Sequence, residues 1–464
     1  MTSSTYDPAT FRPLTFHDAV PAFRDGTDTP RAYLERCLDT IATREPAVKA
    51  WVTLNEAGAR AAADAATARY KAGRALSSID GMPVGIKDLL QTKDMPTEQG
   101  TPLFKGAQTR MDSASVLALR QAGAIILGKT VTTELGMSHP GPTTNPFNPD
   151  HTPGGSSSGS AAAVGAGMVP ATLGTQVVGS VIRPAGFCAN TAIKPTLGAL
   201  HRGERLAFSQ SHIGVHAGDL ADMWNVLWEM GQRSGGDPGH PGLYGEATLR
   251  APLKPARLIV MESEGWPLME PRVGEAFAQV LTQLEKAGVT ILRRSDSPLI
   301  EQFEAAISDS LAICRDVCGY ELRWTLENLV ERFPTGLSDS MMSRLTLARG
   351  MSLDDYRKVL LLRQQARDAF AAIAGLADGL ISVSSVGPAP PMNNSAKDSG
   401  ITHTTGLPNF NAPTSVLGSP TITLPLMAIG ELPVGVQVIG QMHTDATLAA
   451  IAGWVRNTVT PVVA

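Results

Sequence analysis

Helical segments that run into short, wholly apolar segments recur along this chain of 464 residues. The stretch "SASVLALRQAGAIILGKT" has helical spacing up to a glycine turn, which an apolar run at residues 125–127 follows. A helix predicted over residues 160–168 is likewise followed by a strand predicted near residues 171–173. Because strands without a polar face need cover on both sides, this alternation predicts an α/β sheet with helices on both faces.

The alternation continues on either side of a Gly/Pro-rich connector at about residues 233–257. Before the connector, "TPRAYLERCLDTIATRE" and the alanine-rich "EAGARAAADAATARYKAGRA" predict two helices. After it, "ARLIVM" predicts a strand, residues 299–374 are mostly helical by pattern, and "SPTITLPL" and "LPVGVQVIG" predict two strands before a closing helix. The connector is either a domain boundary or a long loop of one α/β domain.

Charge and cysteine content argue against several classes of function. The net charge is −4 and no basic stripe occurs, which argues against nucleic acid as a partner. Four cysteines are no disulfide framework in a chain of this length, and Cys314 and Cys318 are expected in the core rather than on a metal. The first residues, "MTSSTYDPATF", lack the pattern of a signal peptide, and no apolar run reaches membrane-spanning length. We therefore expect a cytoplasmic protein with no membrane partner.

The stretch "TPGGSSSGSAAAVGAG", residues 152–167, combines glycine, serine and alanine in an unusual way. A flexible linker is a poor interpretation, because a helical segment follows at once. A phosphate-binding loop is a poor one too, because no lysine followed by serine or threonine comes after the glycines. The letters "GSSSG" match the G-x-S-x-G nucleophile elbow, with Ser157 as nucleophile. That elbow requires a buried strand directly before it, and "NPDHTP" is not one, so a Ser157 hydrolase is kept only as an alternative.

Three motifs taken together carry a more specific signal. Lys87 lies in "GMPVGIKD", Ser156 lies in the Gly/Ser stretch, and Ser180 lies in "GTQVVGSVIRPAGFC". In this order, and with the two serines 24 positions apart, the motifs resemble the amidase signature family. The segments "IKDLLQTKDMPTEQGT", "FSQSHIGVHAGDLADM" and "NFNAPTSVLGSPTITLPL" resemble further parts of that family. The resemblance covers nearly the whole chain and is weakest at about residues 236–374.

The resemblance implies hydrolysis of a C–N bond in a linear amide, or in a carbamate or urea, through a Ser180 acyl-enzyme. It gives Ser156 the role of proton relay and Lys87 the role of base. A lysine accepts a proton only when it is neutral, and burial on the apolar segment "MPVGIK" is expected to lower its pKa from the ordinary value of about 10.4. Asp88 is expected to point away, because a carboxylate beside the ammonium would raise that pKa. The family also implies a cis peptide bond between Gly155 and Ser156.

The resemblance further implies an oxyanion hole and part of a substrate surface. The implied residues are the backbone N–H groups of Val177, Val178, Gly179 and Ser180 for the oxyanion, and Gly136 for substrate binding. The commonest family pattern has glycine at position 178 and a carboxylate at position 176, where this chain has valine and glutamine. Backbone donors survive a change of side chain, but a β-branched residue disfavours positive φ. A catalytically weakened relative is therefore the alternative to an active enzyme.

The remaining polar residues give no sign of a metal or a cofactor. The histidines are scattered and show no pairing typical of metal ligands: His139, His151, His212, His216 and His403. The family mechanism needs neither a histidine nor a cofactor, so we expect none. Arg183 is expected to hold the loop beside Ser180 rather than to contact substrate.

We therefore expect one α/β domain over residues 1–464, with a large mixed twisted sheet covered by helices on both faces. Its expected parts are N-terminal helices (1–75), a catalytic core (76–232), a divergent and largely helical cover (233–375), and closing strands with a helix (376–464). The expected partner is a small-molecule amide, and a homodimer is left open. Two alternatives stay: a component of a tRNA-dependent glutamyl amidotransferase complex, and a non-catalytic binding protein on the same scaffold.

Overall fold

A computed structural model describes residues 5–203, 208–395, 397–398 and 401–464. The segment that argues against a signal peptide starts at residue 1. Its residues 1–4 lie outside the described residues. The α-helices are α1 Val20–Asp25, α2 Pro30–Val48, α3 Glu56–Lys71, α4 Ala114–Gln121, α5 Ser158–Gly165, α6 Ile182–Phe187, α7 Leu220–Ser234, α8 Pro271–Lys286, α9 Pro298–Ala306, α10 Ser310–Arg332, α11 Asp339–Arg349, α12 Leu353–Ala372, α13 Ala412–Leu417 and α14 Asp445–Thr458. The strands are β1 Trp51–Leu54, β2 Pro83–Lys87, β3 Ile125–Thr130, β4 Ala171–Gln176, β5 Thr191–Lys194, β6 His212–Ala217, β7 Arg257–Val260, β8 Thr290–Leu292, β9 Gly379–Val383, β10 Lys397–Asp398, β11 Ile401–Thr402, β12 Thr421–Ile429, β13 Leu432–Ile439 and β14 Val462–Val463.

One large sheet organises the molecule. Its strand order is β1-β3-β2-β4-β6-β5-β12-β13-β9-β7-β8, and β14 pairs with β12. Pairs such as β2 with β3 and β2 with β4 are parallel, whereas β4 with β6 and β12 with β13 are antiparallel. The predicted mixed sheet is thereby confirmed.

Helices cover both faces of this sheet, and the alternation of side chains along a strand shows how. In β3, Ile125 and Leu127 pack with Ala59 of α3, whereas Ile126 packs in the opposite layer with Leu119 of α4. At the other end of the sheet, Leu258 and Val260 of β7 belong to the same apolar layer as Phe277 of α8, whereas Ile259 belongs to the opposite layer, with Phe303 of α9. The apolar runs in the sequence are therefore strands that are buried on both faces.

A long connector and helices α8 to α12 lie between the end of α7 and the start of β9. The chain between the end of α7 and the start of β7 forms no helix or strand, and β7 then joins the same sheet beside β9. Helices α9 to α12 occupy most of the region predicted to be helical, and the predicted cover also contributes β7 and β8 to the sheet. No helix in the described part of the chain is long and apolar enough to cross a membrane.

The central strands bring the motif residues to one edge of the sheet. Strands β2 and β4 are parallel neighbours, so their carboxyl ends, at Lys87 and Gln176, lie on the same side. Helix α5 begins directly after the Gly/Ser turn, and α6 begins two residues after Ser180. The predicted strand at residues 171–173 extends to Gln176, and this extension carries the chain into the loop that contains Ser180.

Candidate active site

Lys87 is the last residue of β2 and is fully buried, with 0% of its surface exposed. Its Nζ lies 2.8 Å from Ser156 Oγ, 3.0 Å from Ser157 Oγ, and 2.9 Å and 3.2 Å from the hydroxyl and carbonyl oxygens of Thr175. All of these partners are neutral. Burial without a counter-charge lowers the pKa of Lys87 well below its ordinary value, which favours the neutral amine that can accept a proton.

Asp88, the next residue, lies on the other side of the strand. Its Oδ1 is 2.8 Å from Nζ of Lys129 on β3, and both side chains are fully buried. Successive residues of a strand point to opposite faces, so the carboxylate cannot reach Lys87 from this position. The prediction that Asp88 points away is confirmed.

The Gly/Ser turn presents Ser156 to Lys87. The peptide bond between Gly155 and Ser156 is cis, as predicted. Gly154 has a φ of +84°, and a Cβ there would lie 2.7 Å from Pro184 Cα. Arg183 holds the turn in place, because its Nη2 donates to the Gly155 carbonyl at 2.8 Å and its Nε to the Thr405 carbonyl at 3.1 Å. Arg183 thus secures the turn that carries Ser156, not only the loop beside Ser180.

The loop from Val177 to Ser180 offers free backbone donors. Its four N–H groups donate to no acceptor among the described residues. The Gln176 side chain fixes the loop: Oε1 accepts from the N–H groups of Val181 and Ile182 at 2.9 Å and 3.1 Å, and Nε2 donates to the Val178 carbonyl at 3.1 Å. Val178 is not among the residues with positive φ, so its β-branched side chain causes no backbone strain here. The two departures from the family pattern therefore leave the loop with a defined conformation.

The two serines of the proposed relay are not hydrogen-bonded to each other. Ser156 is 3% exposed and contacts Lys87, whereas Ser180 is 8% exposed and its Oγ has no partner among the described residues. The backbone joins the two segments, since the Ser157 N–H donates to the Ser180 carbonyl at 3.3 Å. Hydrogen bonds of this kind commonly tighten only when substrate is bound.

Ser157, the alternative nucleophile, has no access to solvent. Its side chain is 0% exposed, and its Oγ donates to the Thr175 carbonyl at 3.2 Å and accepts from the Thr175 N–H at 3.3 Å. No strand precedes it in the segment between β3 and β4, all of which the structure describes. Neither requirement of a nucleophile elbow is met.

Two cavities meet around these residues. The first, here called the serine cavity, is lined by Ser180, Val177 to Gly179, Arg183 and Arg344. The second, here called the relay cavity, is lined by Ser156, Thr175, Leu322 and Glu321. Gly136, Met137 and Val177 line both, so they form the wall between them. A Cβ on Gly136 would lie 2.8 Å from Leu89 Cδ1 and 3.7 Å from Ser156 Oγ, which places this glycine next to the relay.

The histidines nearest to the core motif do not face the cavities. His212 and His216 lie on β6 and are 2% and 0% exposed. Burial lowers the pKa of His212 well below the ordinary value and that of His216 to about 3. Among the described residues, side chains that could share a metal ion come together at His17, Asp219 and Asp222, away from both cavities, where the histidine forms ion pairs with the carboxylates.

Sequence reasoning missed several residues of the site. Thr175 touches Lys87 with two oxygens, yet threonine at the end of a strand carries no local signal. Cys314 and Cys318 are buried, as predicted, but they also line the serine cavity, as does Arg344 from α11. The four-residue spacing of the cysteines on α10 places them on one helix face, and only the packing of that helix shows which surface the face meets.

Comparisons with known proteins agree with this architecture. A family model described as Amidase matches residues 32–449. The A-subunit of glutamyl-tRNA(Gln) amidotransferase from Chloroflexus aggregans is 30% identical over 464 residues, which span 94% of this chain and 95% of that protein. The protein of the same name from Coxiella burnetii is 28% identical over 455 residues, which span 92% of this chain and 94% of that protein.

Solved structures share the fold over nearly the full length. The crystal structure of an amidase superposes with a TM-score of 0.81 at 25% identity and covers 96% of this chain and 100% of that one. A 6-aminohexanoate cyclic dimer hydrolase complexed with substrate superposes with a TM-score of 0.82 at 20% identity and covers 97% and 98%. At 20% identity, the similarity to the 6-aminohexanoate cyclic dimer hydrolase is a similarity of fold alone.

Proposed function

Because the chain belongs to the amidase signature family, whose members hydrolyse C–N bonds, we propose that it is an amidase for small linear amides, with carbamates and ureas as further substrates. The observation that supports this best is the contact of 2.8 Å between Lys87 Nζ and Ser156 Oγ, in a fully buried environment without a carboxylate. A lysine that has a lowered pKa and a hydroxyl partner is suited to be a general base.

The proposed reaction proceeds through an acyl-enzyme. Ser180 Oγ attacks the amide carbon while its proton passes to Ser156 Oγ, whose own proton passes to Lys87 Nζ. When the C–N bond breaks, the proton returns along the same path to the leaving nitrogen. A water molecule then loses a proton to the relay and attacks the ester, which releases the acid and restores Ser180. The reaction uses no cofactor and no metal, and we place it in the cytoplasm, in a monomer or homodimer.

The backbone N–H groups of Val177 to Ser180 are proposed to hold the oxyanion. Preorganised donors in a site with little water stabilise developing negative charge by several kcal/mol, typically about 3 per donor. Two observations support this role: the four groups have no acceptor among the described residues, and the Gln176 side chain fixes the loop that carries them.

Similarity to one component of an amidotransferase favours a second candidate function. The relative from Chloroflexus aggregans matches 94% of this chain, and its name places it in a glutamyl-tRNA(Gln) amidotransferase. In that case the chain hydrolyses an amide to supply ammonia to a partner chain. Purification of the tagged chain from its own host, followed by mass spectrometry, tests this: a stoichiometric second protein supports it, and a chain that is pure and fully active alone excludes it.

Substitution of the proposed nucleophile tests the first candidate. We expect Ser180→Ala to lower kcat/KM by at least about 10⁴-fold on any accepted amide, because nothing else supplies the attacking oxygen. Ammonia or amine release measures the rate, and the melting temperature verifies the fold. Labelling with a fluorophosphonate provides the matched control: it should be lost in Ser180→Ala and kept in Ser157→Ala. If only Ser157→Ala loses the label, Ser157 is the nucleophile and the elbow hydrolase is favoured. If the wild-type chain takes up no label, a non-catalytic binding protein is favoured.

A further inference from the structure

The serine cavity is lined by positive charge. Arg183, Arg315 and Arg344 all lie in its wall, and none of its lining residues in the described part of the chain is an aspartate or a glutamate. Arg315 is paired outside the wall, since its Nε lies 2.8 Å from Asp316 Oδ1. Arg183 donates from Nε and Nη2 to the backbone carbonyls of residues 405 and 155, and its buried Nη1 has no partner among the described residues.

Arg344 makes fewer hydrogen bonds to the described residues than Arg183 does, and like Arg183 it has no carboxylate partner among them. It comes from α11, is half-buried, and donates through Nη2 to the Ser138 hydroxyl. Its Nε is buried and has no partner among the described residues, and no carboxylate of that part of the chain forms an ion pair with it. Burial lowers the pKa of Arg344, yet a guanidinium stays charged at any physiological pH. A charge that is held partly out of water without a counter-ion is unfavourable unless a ligand supplies one.

A second arginine on α11 shows that the arginines of this helix do not in general lack a carboxylate partner. Arg349 lies five positions further on, where Nη2 is 2.7 Å from Glu327 Oε2 and Nε is 2.9 Å from Oε1. Its side chain is 48% exposed. Arg349 therefore has a bidentate carboxylate partner, whereas Arg344 has no carboxylate partner among the described residues.

We propose that the amide substrate carries a carboxylate on its acyl portion, and that Arg344 binds this carboxylate in the serine cavity. The inference rests on the proposed function, since it takes Ser180 as the attacking residue. A planar guanidinium matches a carboxylate with two parallel hydrogen bonds, so Arg344 would supply both charge and orientation.

The position of the relay assigns the carboxylate to the acyl portion rather than to the leaving group. The leaving nitrogen takes its proton from Ser156, and Ser156 lines the relay cavity, not the serine cavity. The leaving group therefore points toward the relay cavity. The acyl group stays bound to Ser180 and occupies the cavity that contains Arg344. The substrate class is thus the half-amides of short dicarboxylic acids and their longer homologues.

Substrates that differ only in charge test the proposal. Succinamate, butyramide and 4-aminobutanamide share a four-carbon amide skeleton and end in a carboxylate, a methyl group and an ammonium group, and half-amides of five- and six-carbon dicarboxylic acids probe the reach. We expect kcat/KM for the best half-amide to exceed that of its neutral counterpart by about 30-fold or more. Arg344→Gln should remove most of that preference, through a higher KM for the half-amide. Arg349→Gln, the matched control, should keep the preference.

Binding without turnover separates this proposal from the proposed function. Calorimetry measures the affinity of Ser180→Ala for succinamate and glutaramate, and of the same chain with Arg344→Gln added. Binding that is lost with Arg344→Gln supports the carboxylate site, even if the wild-type chain hydrolyses no amide and the proposed function fails. Hydrolysis of neutral amides at rates equal to those of half-amides, or an equal loss on both substrates in Arg344→Gln, would overturn the carboxylate site and leave the amidase function standing.

Discussion

Lys87 and Lys129 lie on adjacent parallel strands and are both fully buried, yet they have different surroundings. Lys129 Nζ is 2.8 Å from Asp88 Oδ1 and donates to Thr97 Oγ1 at 2.7 Å and to the Pro96 carbonyl at 3.0 Å. Lys87 Nζ has only hydroxyl and carbonyl oxygens around it. The sheet register explains the separation: Lys129 pairs with Ile86, so Asp88, two residues on, lies on the same face, whereas Lys87 lies on the other.

Burial alone does not make a lysine a general base. Burial lowers the pKa of both lysines, but at Lys129 the carboxylate of Asp88 opposes the effect. A buried ion pair is a structural feature whose two charges compensate each other. A buried lysine that faces only neutral oxygens is instead suited to exchange a proton, which is the role proposed for Lys87. Three experiments test this contrast.

The largest expected effect is on turnover at Lys87. We expect Lys87→Ala to lower kcat/KM by about 10⁴-fold, because the relay loses its proton acceptor. Lys87→Arg should not restore the rate, since a guanidinium is never neutral at these pH values. Amine release on the best substrate measures both variants, and circular dichroism verifies that they fold.

Two histidine variants serve as controls for that experiment. His212→Ala and His216→Ala should each change the rate by less than about tenfold, because both rings lie on β6, outside the cavities. An inactive histidine variant beside an active Lys87→Ala would mean that a histidine is the base and that the contrast between the two lysines is irrelevant to catalysis.

The second effect is on stability at Lys129. Asp88→Asn leaves a buried ammonium without its counter-charge, so we expect the free energy of unfolding to fall by about 3–5 kcal/mol. Unfolding in guanidinium chloride at pH 7 measures this, and kcat of the folded protein should change by less than about tenfold. Adding Lys129→Met removes the unpaired charge and should recover most of the loss. If Asp88→Asn keeps full stability but loses activity, Asp88 takes part in catalysis, and the ion pair with Lys129 is not merely structural.

The covered sheet, the orientation of Asp88 and the cis bond can be predicted from the sequence, because each depends on residues that are close together in the chain. The alternation of helices and apolar runs predicts the covered sheet, and the two-residue period of a strand agrees with an Asp88 that turns away from Lys87. The resemblance of the Gly/Ser turn predicts the cis bond before Ser156, and that bond is present. The roles of Lys87, Ser156 and Ser180 stay predictions, although the structure brings the first two into contact.

The rest depends on contacts between segments that are distant in the chain. Arg344 reaches Ser138 across 206 positions, from a helical region in which no motif indicates which face meets the cavity. The effect of Val178 is also hard to judge from sequence, because the conformation of its loop depends on Gln176 and Ser415, which hold the Val178 carbonyl from two sides. Packing of this kind is not encoded in the spacing of one segment.

The last effect is on the pH dependence of stability, where one pH unit changes the free energy of unfolding by less than the loss expected in Asp88→Asn, and it reports directly on the neutral state of Lys87. The folded-state pKa of Lys87 is lowered, whereas that of the unfolded chain is about 10.4. Between these two values the unfolded state binds a proton that the folded state does not, so stability rises with pH, by at most about 1.4 kcal/mol per pH unit. Lys87→Met removes this contribution, so the difference in unfolding free energy between wild type and variant should become more favourable to the wild type from pH 7 to pH 10. Guanidinium chloride titrations at pH 7, 8.5 and 10 measure it, and comparing each pair at the same pH cancels the contributions of other buried groups. A difference that does not vary with pH would mean that Lys87 is protonated in the folded protein, like an ordinary lysine, and cannot serve as the base.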